Sequence, residues 1–153
     1  MLYLVLKVLH VFSVVLFLGN IVTGIFWKAQ GDRGNLHSRA HAVAGIIRSD
    51  RVFTLPGVLL IIATGIALVL VGGLSFLTPW ILWSLILFGV SGVVFRFQLE
   101  PLQKKLSASV QAGLAGQWNE SEYRALSKRW QFWGWIATGA PLVALILMVL
   151  KPV

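Results

Sequence analysis

The stretch Leu2–Trp27, LYLVLKVLHVFSVVLFLGNIVTGIFW, is apolar along almost its whole length. A helix of this length spans about 39 Å at ~1.5 Å per residue, more than the ~30 Å hydrocarbon core of a bilayer. The run nevertheless contains Lys7, His10 and Asn20. Because polar side chains in lipid cost free energy, the sequence predicts a membrane helix whose polar side chains face other protein segments.

The polar and small residues of this run recur at helical spacing. Steps of three and four residues join six positions: His10, Ser13, Phe17, Asn20, Gly24 and Trp27. Residues at such steps lie on one face of a helix. We therefore expect this face, here called the polar stripe, to be buried against the rest of the chain.

The composition indicates a membrane protein. Of the 153 residues, 58% are hydrophobic and only 12% are charged, about half the ~25% found in soluble domains. The chain has no cysteine, which excludes disulfides, zinc–thiolate centres and iron–sulfur clusters. The net charge of +8 comes from residues that flank apolar runs. This placement favours a membrane-orientation signal over nucleic-acid binding.

Four apolar segments predict four membrane spans. The expected bounds are about 2–27, 52–71, 80–96 and 130–150 for the spans, and 28–51 and 97–129 for the connectors between them. We expect one domain over 1–153, an all-α polytopic membrane protein folded as a four-transmembrane-helix up-down bundle. The short uncharged connection Gly72–Pro79 predicts a tight hairpin of the second and third spans. Asn119 and Glu122 have capping-box spacing, which predicts a helix start.

Basic residues mark one side of the bundle. Eleven of the thirteen Lys and Arg residues lie in 28–51 and 96–129, whereas Lys7 and Lys151 lie at the other side. Loops rich in Lys and Arg stay in the cytoplasm. The sequence therefore predicts both termini outside and both basic connectors in the cytoplasm.

His10 is the strongest candidate for binding chemistry. It lies ~12 Å along the helix from its outer end and could ligate haem or another tetrapyrrole, handle a proton, or hydrogen-bond a neighbouring helix. His37 and His41 lie about 20–30 Å away along the membrane normal, too far to share one haem with His10. Iron would then be five-coordinate, or bind a second His10 from another copy or another ligand such as Met148.

Other polar residues near the spans have two interpretations each. Lys7, one turn outward of His10, could pair with a tetrapyrrole propionate or extend to the headgroups. Asn20 could contribute to a site, although an interhelical hydrogen bond is the commoner role. Four connector residues could bind lipid phosphate, a haem propionate or a quinone headgroup, or form a solvated face: His37, His41, Arg48 and Arg51. No nucleotide-binding loop, HExxH motif or nucleophile elbow supports hydrolase or phosphotransfer chemistry.

Several short motifs resemble known membrane families. They are Lys7-Val-Leu-His10, Arg51-Val-Phe53-Thr54-Leu-Pro56, Pro141 and Lys151-Pro152-Val153. Together they resemble HemJ-type protoporphyrinogen oxidases and the related copper-resistance-protein-D-like membrane proteins. His10 followed by Gly19-Asn20 and Thr23-Gly24 is similar to a group of small bacterial integral membrane proteins of unknown function.

The resemblance implies a multi-pass protein of the bacterial inner (plasma) membrane that binds haem b or a related tetrapyrrole. It puts His10 at the haem-linked histidine and Arg51 at a retained arginine, with a redox or haem-handling role. The third span, Trp80-Ile-Leu82-Trp-Ser84, lacks the histidine and lysine of HemJ-type proteins, so the oxidase activity is not implied. The alternative is a non-catalytic subunit or assembly factor of a larger membrane complex, or a homo-oligomer, embedded in the lipid bilayer.

Overall fold

The structure, a computed structural model, describes residues 1–152, which fold into helices and short connections. The helices are α1 (Leu2–Arg33), α2 (Leu36–Ser49), α3 (Leu55–Val71), α4 (Pro79–Val94), α5 (Glu100–Leu114) and α6 (Glu120–Leu150). Two π-helical turns, Asp50–Thr54 and Phe95–Leu99, join α2 to α3 and α4 to α5 without a break. Val153, the last residue of the predicted domain and of the Lys151-Pro152-Val153 motif, lies outside the described residues.

Four long helices result, and each is apolar and long enough to cross a membrane. They contain between 31 and 36 residues, or about 46–54 Å, against ~30 Å of hydrocarbon. The all-α, four-span prediction is therefore confirmed. The excess length lies mainly in 28–51 and 97–129, where α2 and α5 make the predicted connectors helical. We call this part the basic half and the remainder the span half.

Asparagine residues begin two of the helices. Asn35 Oδ1 accepts a hydrogen bond from the Ser38 amide at 3.0 Å, and Asn119 Oδ1 accepts one from the Glu122 amide at 3.1 Å. Each bond satisfies an amide that has no partner inside its helix. The predicted helix start at Asn119 is confirmed.

In the span half, α1 packs against a glycine face of α3. Three pairs make this contact: Phe17 with Gly57, His10 with Gly65 and Tyr3 with Gly72. A Cβ atom added at Gly65 would lie 3.3 Å from Cε1 of His10. Because glycine has no side chain, the two backbones approach closely, and residues seven apart on α1 pack on the face of α3.

The pairing of α4 with α6 depends on a carbonyl that a proline leaves without its donor. Pro141 has no N–H, so the carbonyl of Ala137 loses its usual partner four residues later. The buried Ser91 hydroxyl of α4 donates to that oxygen at 2.6 Å. An unpaired carbonyl would be costly in lipid, and the serine therefore stabilises both the bent helix and the helix pair.

The predicted tight hairpin of the second and third spans is wrong. No Cα atom of α3 lies within 8 Å of one of α4. The glycine face of α3 turns to α1, and the serine face of α4 turns to α6, so Gly72–Thr78 connects two separate helix pairs. Gly73 adopts a φ of +63° in this connection, a conformation that glycine adopts at little cost.

The polar stripe is confirmed over most of its length. Ser13 and Phe17 are buried, and His10, Asn20 and Gly24 are half-buried. The stripe is wrong at its end, because Trp27 is 62% exposed whereas Lys28 is 1% exposed. Position 28, one turn after Gly24, is the position that α6 covers.

The basic half is a closed ring in which α1, α2, α5 and α6 each contact the next. Its core contains a buried ammonium group. Lys28 Nζ donates to both oxygens of Asp32 at 2.7 and 2.6 Å, to Tyr123 Oη at 3.1 Å and to Ser127 Oγ at 2.8 Å. The two hydroxyls donate in turn to Asp32, at 2.6 and 2.9 Å. This network joins α1 to α6.

A second ion pair joins α2 to α6 beside this network. Arg39 donates to Glu120 at 2.6 Å, and its guanidinium lies over the rings of Trp118 and Tyr123. The hydrogen bond from Arg39 lowers the pKa of Glu120 to about 2. Burial raises the pKa of the Tyr123 hydroxyl, which therefore stays protonated and can donate to Asp32.

The proline explanation for Ser91 can be tested by a double-mutant cycle. Ser91→Ala should lower the free energy of unfolding by about 1–3 kcal/mol, because a buried carbonyl loses its donor. In a Pro141→Ala background, the restored N–H satisfies Ala137, and the same substitution should cost much less. Steric trapping in bicelles measures these values. Ser84→Ala is the control, and its cost should be the same in both backgrounds. If Ser91→Ala also costs the same in both backgrounds, the explanation is wrong.

The Lys28 network predicts a large effect of a single neutral substitution. Asp32→Asn should destabilise the protein by about 3–5 kcal/mol, because the Lys28 ammonium remains buried without a counter-ion. Lys104→Met, which removes an exposed ion pair with Glu100, should cost at most about 1 kcal/mol. The same unfolding assay measures both. If Asp32→Asn costs as little as Lys104→Met, then Lys28 is not buried as described.

Candidate functional site

A cavity of about 240 Å³ lies between the two helix pairs. Apolar side chains from all four long helices form most of its wall, among them Phe17, Val58, Phe88 and Ala137. The rings of Phe17 and Phe88 meet across it with centroids 5.6 Å apart. An apolar cavity of ~150 Å³ can already bind benzene, so this one is large enough for a substituted ring or a short chain.

Both π-helical turns line this cavity. Each is followed by a proline, Pro56 or Pro101, two residues after the turn ends. A proline ring clashes with the carbonyl four residues earlier and offers it no N–H. A π turn contains one extra residue and shifts the hydrogen bonding, and such turns are frequent at functional sites.

One end of the cavity is polar. Asp50 Oδ1 accepts hydrogen bonds from Thr54 Oγ1 at 2.8 Å and Asn20 Nδ2 at 3.3 Å, and its Oδ2 accepts one from Gln103 Nε2 at 2.8 Å. Asn20 Nδ2 also donates to Thr54 Oγ1 at 2.9 Å. We call these four residues the Asp50 cluster. It brings together α1, the first π turn and α5.

The position of Asp50 along its helix shows how the cavity is oriented relative to the two halves of the protein. Asp50 precedes the last residue of α3, Val71, by about 32 Å of helix, which is close to the thickness of the hydrocarbon core. The Asp50 cluster therefore lies at the edge between the span half and the basic half. The apolar wall extends from this edge into the span half.

The structure separates the residues that the sequence suggested for cofactor binding. Asn20 belongs to the Asp50 cluster, whereas His10 lies ten residues away along α1, about 15 Å. Lys7 and Arg51 are exposed. His10 Nδ1 lies 2.9 Å from Thr64 Oγ1, whose own proton goes to the carbonyl of Leu60. The imidazole therefore donates at Nδ1.

The other residues considered from the sequence lie apart from the cavity. The connector residues His37, His41 and Arg48 are exposed on α2, as a solvated face would be. Met148 is half-buried near the end of α6. None of them is among the residues that line the cavity.

Sequence reasoning missed three members of the Asp50 cluster and three aromatic residues of the cavity, Phe88, Phe95 and Trp130. Asp50 gave a usable signal, because it is an acidic residue directly before a long uncharged span. Thr54 and Gln103 gave none, since their role depends on how α2 and α5 pack. Trp130 lines the cavity and is 6% exposed, and its Nε1 has no partner among the described residues.

Comparison with known proteins places the chain in a family. The family described as "Predicted integral membrane protein (DUF2269)" matches residues 4–152. No curated protein and no solved structure matches the chain. The match does not extend to HemJ-type or copper-resistance-protein-D-like proteins, and that resemblance stays a prediction. Since the match spans almost the whole sequence and four helices are long enough to cross a bilayer, the chain is a multi-pass integral membrane protein that belongs to the DUF2269 family.

Proposed function

We propose that this protein binds a small amphipathic molecule in the cavity between its two helix pairs. The observation that supports the proposal is the cavity itself, with an apolar wall in the span half and the Asp50 cluster at one end. Binding sites for small molecules are typically concave and apolar, with a few polar groups that fix orientation. The apolar part of the ligand would lie near Phe17 and Phe88, and its polar group near Asp50.

The separation of the helix pairs supports a route for such a ligand. The Cα atoms of α3 and α4 stay more than 8 Å apart, and side chains on both helices face outward, among them Leu59 and Val93. A molecule dissolved in the bilayer could enter between these helices without crossing water. Its polar group would then reach the edge of the basic half.

Gly134 provides a direct way to fill the cavity. It is a buried lining residue of α6, and a Cβ atom added there would meet no atom within 4 Å. Gly139, on the same helix, also has open space at its Cβ position but does not line the cavity. The two glycines therefore form a matched pair for substitution.

The first test uses 2-phenylethanol, a ring with a short polar tail, on the purified protein in detergent. Binding should shift the indole N–H resonance of Trp130 in ¹⁵N-tryptophan-labelled protein, a peak assigned with Trp130→Phe. Gly134→Leu should abolish the saturable shift because leucine occupies the space of the ligand, and Gly139→Leu should retain it. The proposal is wrong if both leucine variants bind alike, or if the wild type shows no saturable shift either with this probe or with an analogue that carries a different polar group.

A second candidate function is binding of haem b or a related tetrapyrrole through His10, with a redox or haem-handling role. The supporting observation is the hydrogen bond between His10 Nδ1 and Thr64 Oγ1. Metal-bound histidines commonly donate their second ring N–H to a neighbour, which leaves a lone pair on the other nitrogen. Haem bound there would supply one-electron chemistry, and His10 would orient it.

The haem candidate is tested by absorbance after reconstitution of the purified protein. His10→Phe keeps a ring against Gly65 but removes the ligating nitrogen, so the Soret band should be lost. Gly134→Leu should retain the band, because His10 lies outside the cavity. Absence of a band in the wild type, or an unchanged band in His10→Phe, would exclude this candidate without affecting the cavity proposal.

A further inference from the structure

The carboxylate of Asp50 lies at the cavity without a basic partner. Its three hydrogen bonds come from neutral groups on Asn20, Thr54 and Gln103. Over residues 1–152, the ion pairs within 4.0 Å involve the acidic residues Asp32, Glu100 and Glu120, and none involves Asp50 or the exposed Glu122. A half-buried carboxylate in this position gains from any cation that can reach it.

Most positions left open in the Asp50 cluster are acceptors, and the one open donor is the second N–H of Gln103 Nε2. Gln103 is 7% exposed, and because its Nε2 donates to the carboxylate, its Oε1 must be the free end of the amide. Within the described part of the chain, neither Gln103 Oε1 nor Asn20 Oδ1 has a hydrogen-bond donor. This Gln103 oxygen is not fully buried, so it has accessible surface. Asp50 itself has room for about one more donor, since a carboxylate offers about four acceptor positions.

A group that satisfies such a site must donate hydrogen bonds and carry positive charge. A primary ammonium has three N–H donors and no acceptor, whereas a hydroxyl has one donor and no charge, and a quaternary ammonium has charge without donors. The nearest lining cation, Arg96, is paired with Glu100 at 2.6 Å. Arg96 therefore does not neutralise the charge of Asp50.

We infer that the ligand of the cavity is an amphipathic primary amine whose ammonium group binds Asp50, Asn20 and Gln103. This inference rests on the proposed function and specifies its ligand class. The ammonium lies at the edge of the basic half, and the hydrocarbon part extends along the apolar wall beside Phe17 and Phe88. Charge-assisted hydrogen bonds are the strongest ones available to such a ligand, so the polar end of the cavity selects it over neutral analogues.

The test compares probes of similar size that differ in the polar group. These are 2-phenylethylamine, 2-phenylethanol and phenethyltrimethylammonium, titrated separately while the Trp130 indole resonance is followed. The amine should bind about ten-fold or more tightly than the alcohol, the ratio expected for charge-assisted hydrogen bonds. The trimethyl probe should bind more weakly than the amine because it has no N–H donor. Gly134→Leu, which fills the cavity, corrects each titration for partition into detergent.

Two acidic residues of the cavity provide matched variants. Asp50→Asn should abolish the preference for the amine and retain alcohol binding, which also shows that the variant is folded. Glu100→Gln, combined with Arg96→Gln so that no lining cation is released, removes the other carboxylate of the cavity wall and should retain the preference. Should Asp50→Asn fail to fold, Gln103→Met removes one acceptor of the cluster and should reduce the preference.

The outcomes separate this inference from the proposed function. Alcohol binding without a preference for the amine overturns the ammonium inference alone. Equal loss of the preference in Asp50→Asn and in the Arg96→Gln/Glu100→Gln double variant does the same. A wild type that binds neither the alcohol nor the amine overturns both. A preference that disappears only when the Asp50 cluster is altered supports the inference.

Discussion

Backbone carbonyls that lose their donor to a proline impose the main constraint on this structure, because lipid offers no water to replace it. Three prolines interrupt the long helices, Pro56 and Pro141 in the span half and Pro101 in the basic half, and the chain accommodates them in two ways. At Pro141, a serine hydroxyl from α4 takes the place of the missing N–H. Before Pro56 and Pro101, the helix widens into π turns. The first solution joins two helices, and the second shapes the wall of the cavity.

The division into two helix pairs follows from the side chains that each helix offers. Glycines let α3 approach α1, and serine hydroxyls join α4 to the carbonyls of α6. Lipid tails are as apolar as leucine, so an absent contact between α3 and α4 costs little in a bilayer. In water, the same gap would expose apolar surface and close.

The four spans, the face of α1 and the basic end were predictable because they depend on composition and helical period alone. The wrong prediction of a tight hairpin between the second and third spans had a different cause. The connection Gly72–Thr78 fixes only how far apart two helix ends can lie, and not whether the helices pack. The Asp50 cluster was not predictable from spacing, since Asn20, Asp50 and Gln103 lie on separate helices whose meeting depends on the helical extensions beyond the bilayer. His10 drew attention as an isolated polar group, yet its packing on Gly65 follows from the same heptad as Tyr3 and Phe17.

The basic half determines whether the cavity can persist. Tyr123 and Ser127 of α6 bind the Lys28–Asp32 pair of α1, and Arg39 and Glu120 join α2 to α6. Because α5 packs against α2 and α6, the four helices are held at one end. In the span half, the two pairs meet through the rings of Phe17 and Phe88. A bundle that is fixed in its basic half and loosely joined in its span half can change the distance between the two helix pairs. Small tilts of whole helices are enough, and they leave the hydrogen bonds inside each helix unchanged. The Asp50 cluster lies at the fixed end, where such tilts move atoms least, so its acceptors would stay arranged while the apolar wall adapts to the ligand that we propose.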